Sequence, residues 1–192
     1  SKEYPALLVT GPRQIGKTTM LQSLMQDTGR VYVTLDDLNA RMLAKSDPAM
    51  FFQLYRPPVL IDEAQYAPEL FFEIKRIIDR DHRAGDFWLT GSQVFSMMEG
   101  VQESLAGRIA VLPMSSLSQN EMYNHTDPPA FSPDLESLRK KQQQVRPADT
   151  REVFDRIFKG GMPALASGTY RDSHVFYKIG RASCRERVYH PV

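Results

Sequence analysis

Residues 11–18, Gly-Pro-Arg-Gln-Ile-Gly-Lys-Thr, stand between an apolar run, Ala6-Leu7-Leu8-Val9-Thr10, and a segment whose Met20, Leu21, Leu24 and Met25 fall on one helical stripe. A buried strand that turns through two glycines into a helix opening at Lys-Thr is a narrow specification. The glycines let the main chain wrap until its N–H groups face one concavity, and the helix N-terminus adds positive potential there. Such a loop suits the phosphates of a nucleotide, with Gly11, Pro12, Arg13, Gln14, Ile15, Gly16, Lys17, Thr18 and Thr19 as the binding residues. Lys17 is expected to bridge the β- and γ-phosphates and the Thr18 hydroxyl to ligate Mg²⁺, while Thr19 touches the α-phosphate or merely begins the helix. Arg13 and Gln14 either contribute their side chains or point into solvent while their backbone binds. The plain alternative is a Gly-rich strand-to-helix turn that holds no ligand.

A nucleotide site needs a second half at the end of another strand, and Val59-Leu60-Ile61-Asp62-Glu63 supplies an apolar run that terminates in two carboxylates. Most isolated Asp-Glu pairs are solvated turns. This one follows a strand 45 positions after Lys17, with a further strand, Val31 to Leu35, in between. That arrangement is expected where the loop strand and the acidic strand are not neighbours. Asp62 then holds Mg²⁺, directly or through water, and Glu63 orients or deprotonates the attacking water, a division of labour that a small-molecule kinase would not need. Phe87-Trp88-Leu89-Thr90 runs into Gly91-Ser92-Gln93, so Thr90 or Ser92 is a candidate sensor of the γ-phosphate, against the alternative of an ordinary strand-ending turn. Arg108, in the turn before the run Ile109 to Pro113, is a candidate finger toward a neighbouring subunit's nucleotide; the competing account is a salt bridge within the domain.

Strand-like runs alternate with helical segments along the first 113 residues, among them Leu70, Ile74, Ile77 and Ile78 at helical spacing and a segment from Phe95 to Leu105. The alternation predicts a three-layer α/β domain around a parallel sheet, because parallel neighbours require crossovers. A Pro-rich linker and a polar helix are expected over 127–148. Arg139, Lys140, Lys141 and Arg146 there are read as a solvated face rather than a nucleic-acid contact. Residues 149–177 carry an amphipathic helix (Val153, Phe154, Ile157, Phe158) and Gly160-Gly161-Met162-Pro163, the truncated start of a helical C-terminal domain.

At 192 residues, 42% apolar and 24% charged, the chain can bury one core and part of another. Its formal charge of +1 gives no field that implies nucleic acid or membrane, and its apolar runs fall far short of the roughly 20 residues of a membrane span. One cysteine, Cys184, and four unpaired histidines, His82, His125, His174 and His190, form neither a disulfide nor a metal site, so a cytoplasmic setting is expected. The chain starts at Ser1 almost directly in a strand and is expected to be a fragment. Residues 178–192 are expected to be a non-native tail, since Lys178 to Val188, KIGRASCRERV, back-translates into a common sequencing-library adapter. Without Arg181, Arg185, Arg187 and Glu186 the balance moves from +1 to −1.

Together GPRQIGKTT, VLIDEAQYAPELF, FWLTGSQ and ESLAGR resemble the prokaryotic AAA-type P-loop ATPases that carry a C-terminal domain of unknown function. The resemblance covers most of residues 5–118, and KGGMPAL resembles the start of the appended domain. It implies a P-loop NTPase fold of the ASCE/AAA type with a five-stranded core in the order 5-1-4-3-2, an ATP-binding domain over 1–126, ATP and Mg²⁺ as cofactors, and Walker-type roles for Lys17, Thr18, Asp62 and Glu63. The expected function is Mg-dependent ATP hydrolysis that drives or regulates a protein or nucleic-acid partner through the C-terminal region, with a homo-oligomer as one form of assembly. The alternatives are a non-hydrolysing, nucleotide-dependent switch associated with DNA, and a helicase-like motor, for which DEAQ is suggestive but a second core is missing. A GTPase is disfavoured, since neither NKxD nor a DxxG switch follows the loop.

Overall fold

The computed structural model describes residues 3–92, 104–124, 132–144 and 149–178. The expected helix from Phe95, most of the Pro-rich linker, Arg146 and the tail from 179 with Cys184 lie outside the described residues. Two compact units divide the chain at Ser115/Ser116.

In the first unit β1 (Ala6–Thr10), β2 (Val31–Thr34), β3 (Val59–Asp62), β4 (Phe87–Gly91) and β5 (Ile109–Pro113) form one parallel sheet in the order β2-β3-β4-β1-β5. This is the expected order read from the other edge. Side chains alternate across a strand, so the sheet has two inner faces. Val9, Leu60 and Trp88 point to one of them and meet Leu21 of helix α1 (Lys17–Leu24). Leu8, Val59, Ile61, Phe87 and Leu89 point to the other and bury the apolar sides of α2 (Leu38–Ser46), α3 (Pro48–Leu54) and α4 (Leu70–Asp81). In α4 the helical spacing is obeyed: Leu70, Phe71, Ile74, Ile77 and Ile78 are buried while Phe72 is 69% exposed.

After β2 the sequence suggests one polar helical stretch, and two helices stand there. Asp47 ends α2, and its carboxylate accepts the Met50 N–H at 2.9 Å to cap α3, whose first residue is Pro48. The break turns Phe51 and Phe52 inward, edge-on at 5.3 Å, with Phe52 edge-on to Phe87 at 5.6 Å. At the N-terminal edge of the sheet the Arg30 guanidinium stacks over Trp88 at 4.0 Å and donates to the carbonyls of Val59, Gly85 and Asp86.

The second unit gathers short helices. Gln119–Met122 opens on a capping box between Ser118 and Glu121. The Leu117 N–H donates to the Gly161 carbonyl at 2.8 Å, and Arg156 of the helix Thr150–Lys159 lies over Tyr123 at 4.9 Å. These contacts group residues 116–124, expected in the nucleotide domain, with the C-terminal segment. In the helix Leu135–Gln144, Lys140 pairs with Glu136 at 2.8 Å on the surface, as a solvated face would. On Thr150–Lys159 the apolar stripe is open: Phe154, Ile157 and Phe158 are each about two-thirds exposed (66%, 71% and 66%). Among the described residues no helix is long and apolar enough to cross a membrane.

Phe51, fully buried, is the test of the α2–α3 break. Phe51→Ala is expected to lower the unfolding free energy by roughly 3–5 kcal/mol, against less than about 0.5 kcal/mol for the exposed Phe72→Ala, measured by urea denaturation.

Candidate functional site

At the C-terminal edge of the sheet the chain leaves β1 through Gly11, at φ 149°, where a Cβ would collide with the Met114 carbonyl and the Ile15 side chain. Met114, just past β5, also donates its N–H to the Thr10 carbonyl at 2.7 Å. Ile15 is buried and anchors the loop from below, while Pro12, Arg13 and Gln14 are exposed. Gly16, at φ 90°, is the N-cap of α1, so the first N–H groups of that helix have no intrahelical partner and face the loop's hollow. The Lys17 side chain is only 6% exposed and its Nζ donates to the carbonyls of Gly11 (3.1 Å) and Pro12 (2.7 Å). Burial pulls the Lys17 pKa below its ordinary value, against the opposing charges of Glu63 and Asp62.

Strand alternation carries Asp62 and Thr90 to the α1 side, two residues beyond Leu60 and Trp88. There the Thr18 hydroxyl donates to Asp62 Oδ1 at 2.7 Å, and Thr90 Oγ1 donates to the same oxygen. The Tyr32 hydroxyl, from β2, reaches Asp62 Oδ2 at 3.3 Å. Asp62 is 7% exposed, so these three donors replace the water that its carboxylate gives up. The Tyr32 phenol is raised above its usual pKa by burial first and by the Asp62 charge second.

Glu63 follows with a left-handed backbone, φ 57° and ψ 44°; its N–H donates to Thr90 Oγ1 at 3.0 Å. The Thr90 hydroxyl thus serves both acidic residues at once and is fully buried behind them. Ser92 differs: its Oγ is buried and has no hydrogen-bond partner among the described residues. The Glu63 carboxylate accepts from the Gln65 side-chain amide. Arg13, Gln14, Gly16, Lys17, Thr18, Thr19, Asp36, Glu63 and Tyr66 line one cavity of ≈ 500 Å³.

Among the described residues no group of three or more His, Cys, Asp or Glu forms a metal cluster. Mg²⁺ keeps several waters and takes one or two carboxylates beside substrate phosphates. A hydroxyl and a carboxylate 2.7 Å apart on the cavity side of the sheet are oxygen donors that fit that ion. Arg108 lies elsewhere. It precedes β5 at the opposite edge of the sheet, and its guanidinium grips Asp79 at 2.6 and 3.1 Å. The hydrogen bond holds the Asp79 carboxyl below its usual pKa. This is the salt bridge set against the finger above, and Arg108 does not join this chain's cavity.

Tyr32 and Asp36 carry no motif of their own, and Gln65 and Tyr66 stand inside VLIDEAQYAPELF without a role that the motif assigns them. Tyr32 could have been found from the β2–β3 pairing, which sets it opposite Leu60 and on the face of Asp62. The others lie just after strands, where the sequence marks turns without showing which way they fold.

Residues 3–123 match the sequence model of a family described as an AAA domain. Uncharacterized proteins of Mycobacterium tuberculosis and Mycobacterium bovis are each 31% identical over 119 residues, which is 62% of this chain and 26% of theirs. The chain therefore spans about a quarter of the length of the curated relatives it matches. A Walker-type ATPase of Pyrococcus abyssi superposes over 97% of this chain and 72% of its own with a TM-score of 0.57 at 15% identity, a likeness of fold. The matched span takes in the phosphate loop, the acidic end of β3, the strand of Thr90 and β5, well over half of the residues, and the chain belongs to the AAA domain family.

Proposed function

We propose that the chain binds ATP with Mg²⁺ in this cavity and hydrolyses it, and that the cycle drives or regulates a protein or nucleic-acid partner through the C-terminal region. The observation that carries the proposal is the hydrogen bond from Thr18 to Asp62. It joins residues far apart in sequence, beside a buried ammonium and the Glu63 carboxylate, at a cavity within the roughly 300–1,000 Å³ of small-ligand sites. The ammonium of Lys17 would exchange the loop carbonyls for β- and γ-phosphate oxygens, a charge-assisted pairing that offsets its burial. The loop and α1 N–H groups would take the remaining phosphate oxygens. Thr18 and Asp62 would hold Mg²⁺, which when bound neutralises charge on the triphosphate. Glu63 would orient and deprotonate water, with Thr90 fixing its backbone and the Ser92 hydroxyl available to the γ-phosphate.

One observation favours a second reading, a nucleotide-dependent switch that does not hydrolyse: the Gln65 amide already engages the Glu63 carboxylate. Oligomeric assembly, with Arg108 acting on a neighbour, requires that arginine to leave Asp79.

Glu63→Gln is expected to reduce Mg-ATP turnover by about 10²-fold or more while the ATP Kd changes less than about threefold, and Lys17→Ala to abolish both. Turnover that is absent and indifferent to Glu63→Gln would favour the switch. Thr90→Val removes one of the three donors to Asp62 and the acceptor of the Glu63 N–H, so a loss of roughly 1–3 kcal/mol of stability should accompany its loss of turnover. Ser92→Ala removes a hydroxyl that has no hydrogen-bond partner among the described residues; thermal melting should leave its stability within about 0.5 kcal/mol while turnover falls.

A further inference from the structure

At the mouth of the cavity three side chains outside the roles above form a relay. Arg41, on α2, is held by the Leu35 carbonyl at 2.6 Å and by Asp36 at 3.7 Å. Its guanidinium lies over the Tyr66 ring at 4.0 Å, and the Tyr66 hydroxyl accepts from Arg13 Nη2 at 3.2 Å. Arg41 is thereby a fixed post, Tyr66 is clamped against it, and Arg13 is tied to the cavity rim by a single bond.

Arg13 contrasts with Arg76, Arg80, Arg83 and Arg108, each of which faces a carboxylate. Among the described residues no carboxylate lies within ion-pair distance of Arg13. A guanidinium carries five N–H donors in a planar fork, and the bond to Tyr66 uses one. Among the described residues the rest have no hydrogen-bond partner, at a cavity that Arg13 shares with Lys17, Thr18 and Glu63. Its charge is also felt at the Lys17 ammonium, adding to the effect of burial. Tyr66 belongs to the segment that carries Glu63, so the tether holds Arg13 on the side where water and the outermost phosphate would meet, away from the α1 N-terminus that would take the inner ones.

We infer that the Arg13 guanidinium, positioned by the Tyr66 hydroxyl, is a specificity determinant that contacts the terminal phosphate and lets the site distinguish a nucleoside triphosphate from a diphosphate. The inference rests on the nucleotide site proposed above. Arg13 acts directly and Tyr66 is a positioning residue, because a long side chain already held at the rim has less rotamer freedom to lose when the phosphate arrives.

The test is calorimetric titration with Mg-ATP and with Mg-ADP. Arg13→Ala should weaken ATP about tenfold and ADP less than about twofold, the weight of a charge-assisted hydrogen bond made to the third phosphate only. Arg13→Lys should recover part of the ATP affinity, since it restores the charge without the fork. Tyr66→Phe keeps the ring against Arg41 and should cost ATP about threefold, and that cost should vanish in the Arg13→Ala background. Equal losses for the two nucleotides, or none, would overturn the role of Arg13. A Tyr66→Phe loss that persists without Arg13 would overturn the positioning role. Lys17→Ala separates this inference from its foundation: if that variant still binds both nucleotides, the site itself is misassigned, whereas if it binds neither and Arg13→Ala is silent, only the Arg13 assignment fails.

Discussion

A carboxylate taken out of water must be met by donors, and the buried Asp62 is met by three hydroxyls that arrive from three different elements: Thr18 from α1, Thr90 from β4 and Tyr32 from β2. That demand determines much else. It requires β3 to lie between β2 and β4, and it requires α1 to cover the same face of the sheet, so that its first turn comes within reach. The crossovers that parallel pairing imposes deliver both conditions. The layering of the first unit and the chemistry of its cavity are therefore one arrangement seen at two scales.

Lys17 presents the complementary problem. A buried ammonium is satisfied here by the carbonyls of its own loop, which are acceptors without net charge. Such a cation is stable enough to stay in place and still keeps most of its attraction for an anion. The same economy recurs at the rim, where Arg13 is kept near the cavity by a neutral phenol rather than by a carboxylate. Between the two, the Glu63 carboxylate is engaged by an amide, again neutral. Lys17, Arg13 and Glu63 are thus each oriented by a partner that does not cancel its charge.

How much of this could be read from sequence depended on the range of the interaction. Strands declared themselves as apolar runs bounded by Gly, Pro or acidic residues, and the loop, Asp62 and Glu63 stood out because their chemistry is written in consecutive positions. Strand order came from family resemblance and not from the residues of the strands. The break at Asp47 was written in an Asp-Pro pair, yet the polar residues around it masked the two inward phenylalanines. Thr90 and Ser92 were indistinguishable as letters; only geometry gives one hydroxyl two partners and leaves the other none among the described residues. Tyr32, Arg41 and Tyr66 were illegible because each acts on residues that only folding brings close. The grouping of residues 116–124 with the C-terminal unit rests on contacts to Gly161 and Arg156, which are likewise distant in sequence.

Where β1 turns into the loop, the packing partners are main-chain atoms on both sides: the Met114 amide bonds to the Thr10 carbonyl, and the Met114 carbonyl fills the space a side chain on residue 11 would need. Position 11 is thereby closed to any side chain, a methyl group included. Position 114 answers to a looser demand, since its main chain makes the junction while its half-buried side chain needs only an apolar fit against Val9, Leu21, Leu60 and Trp88.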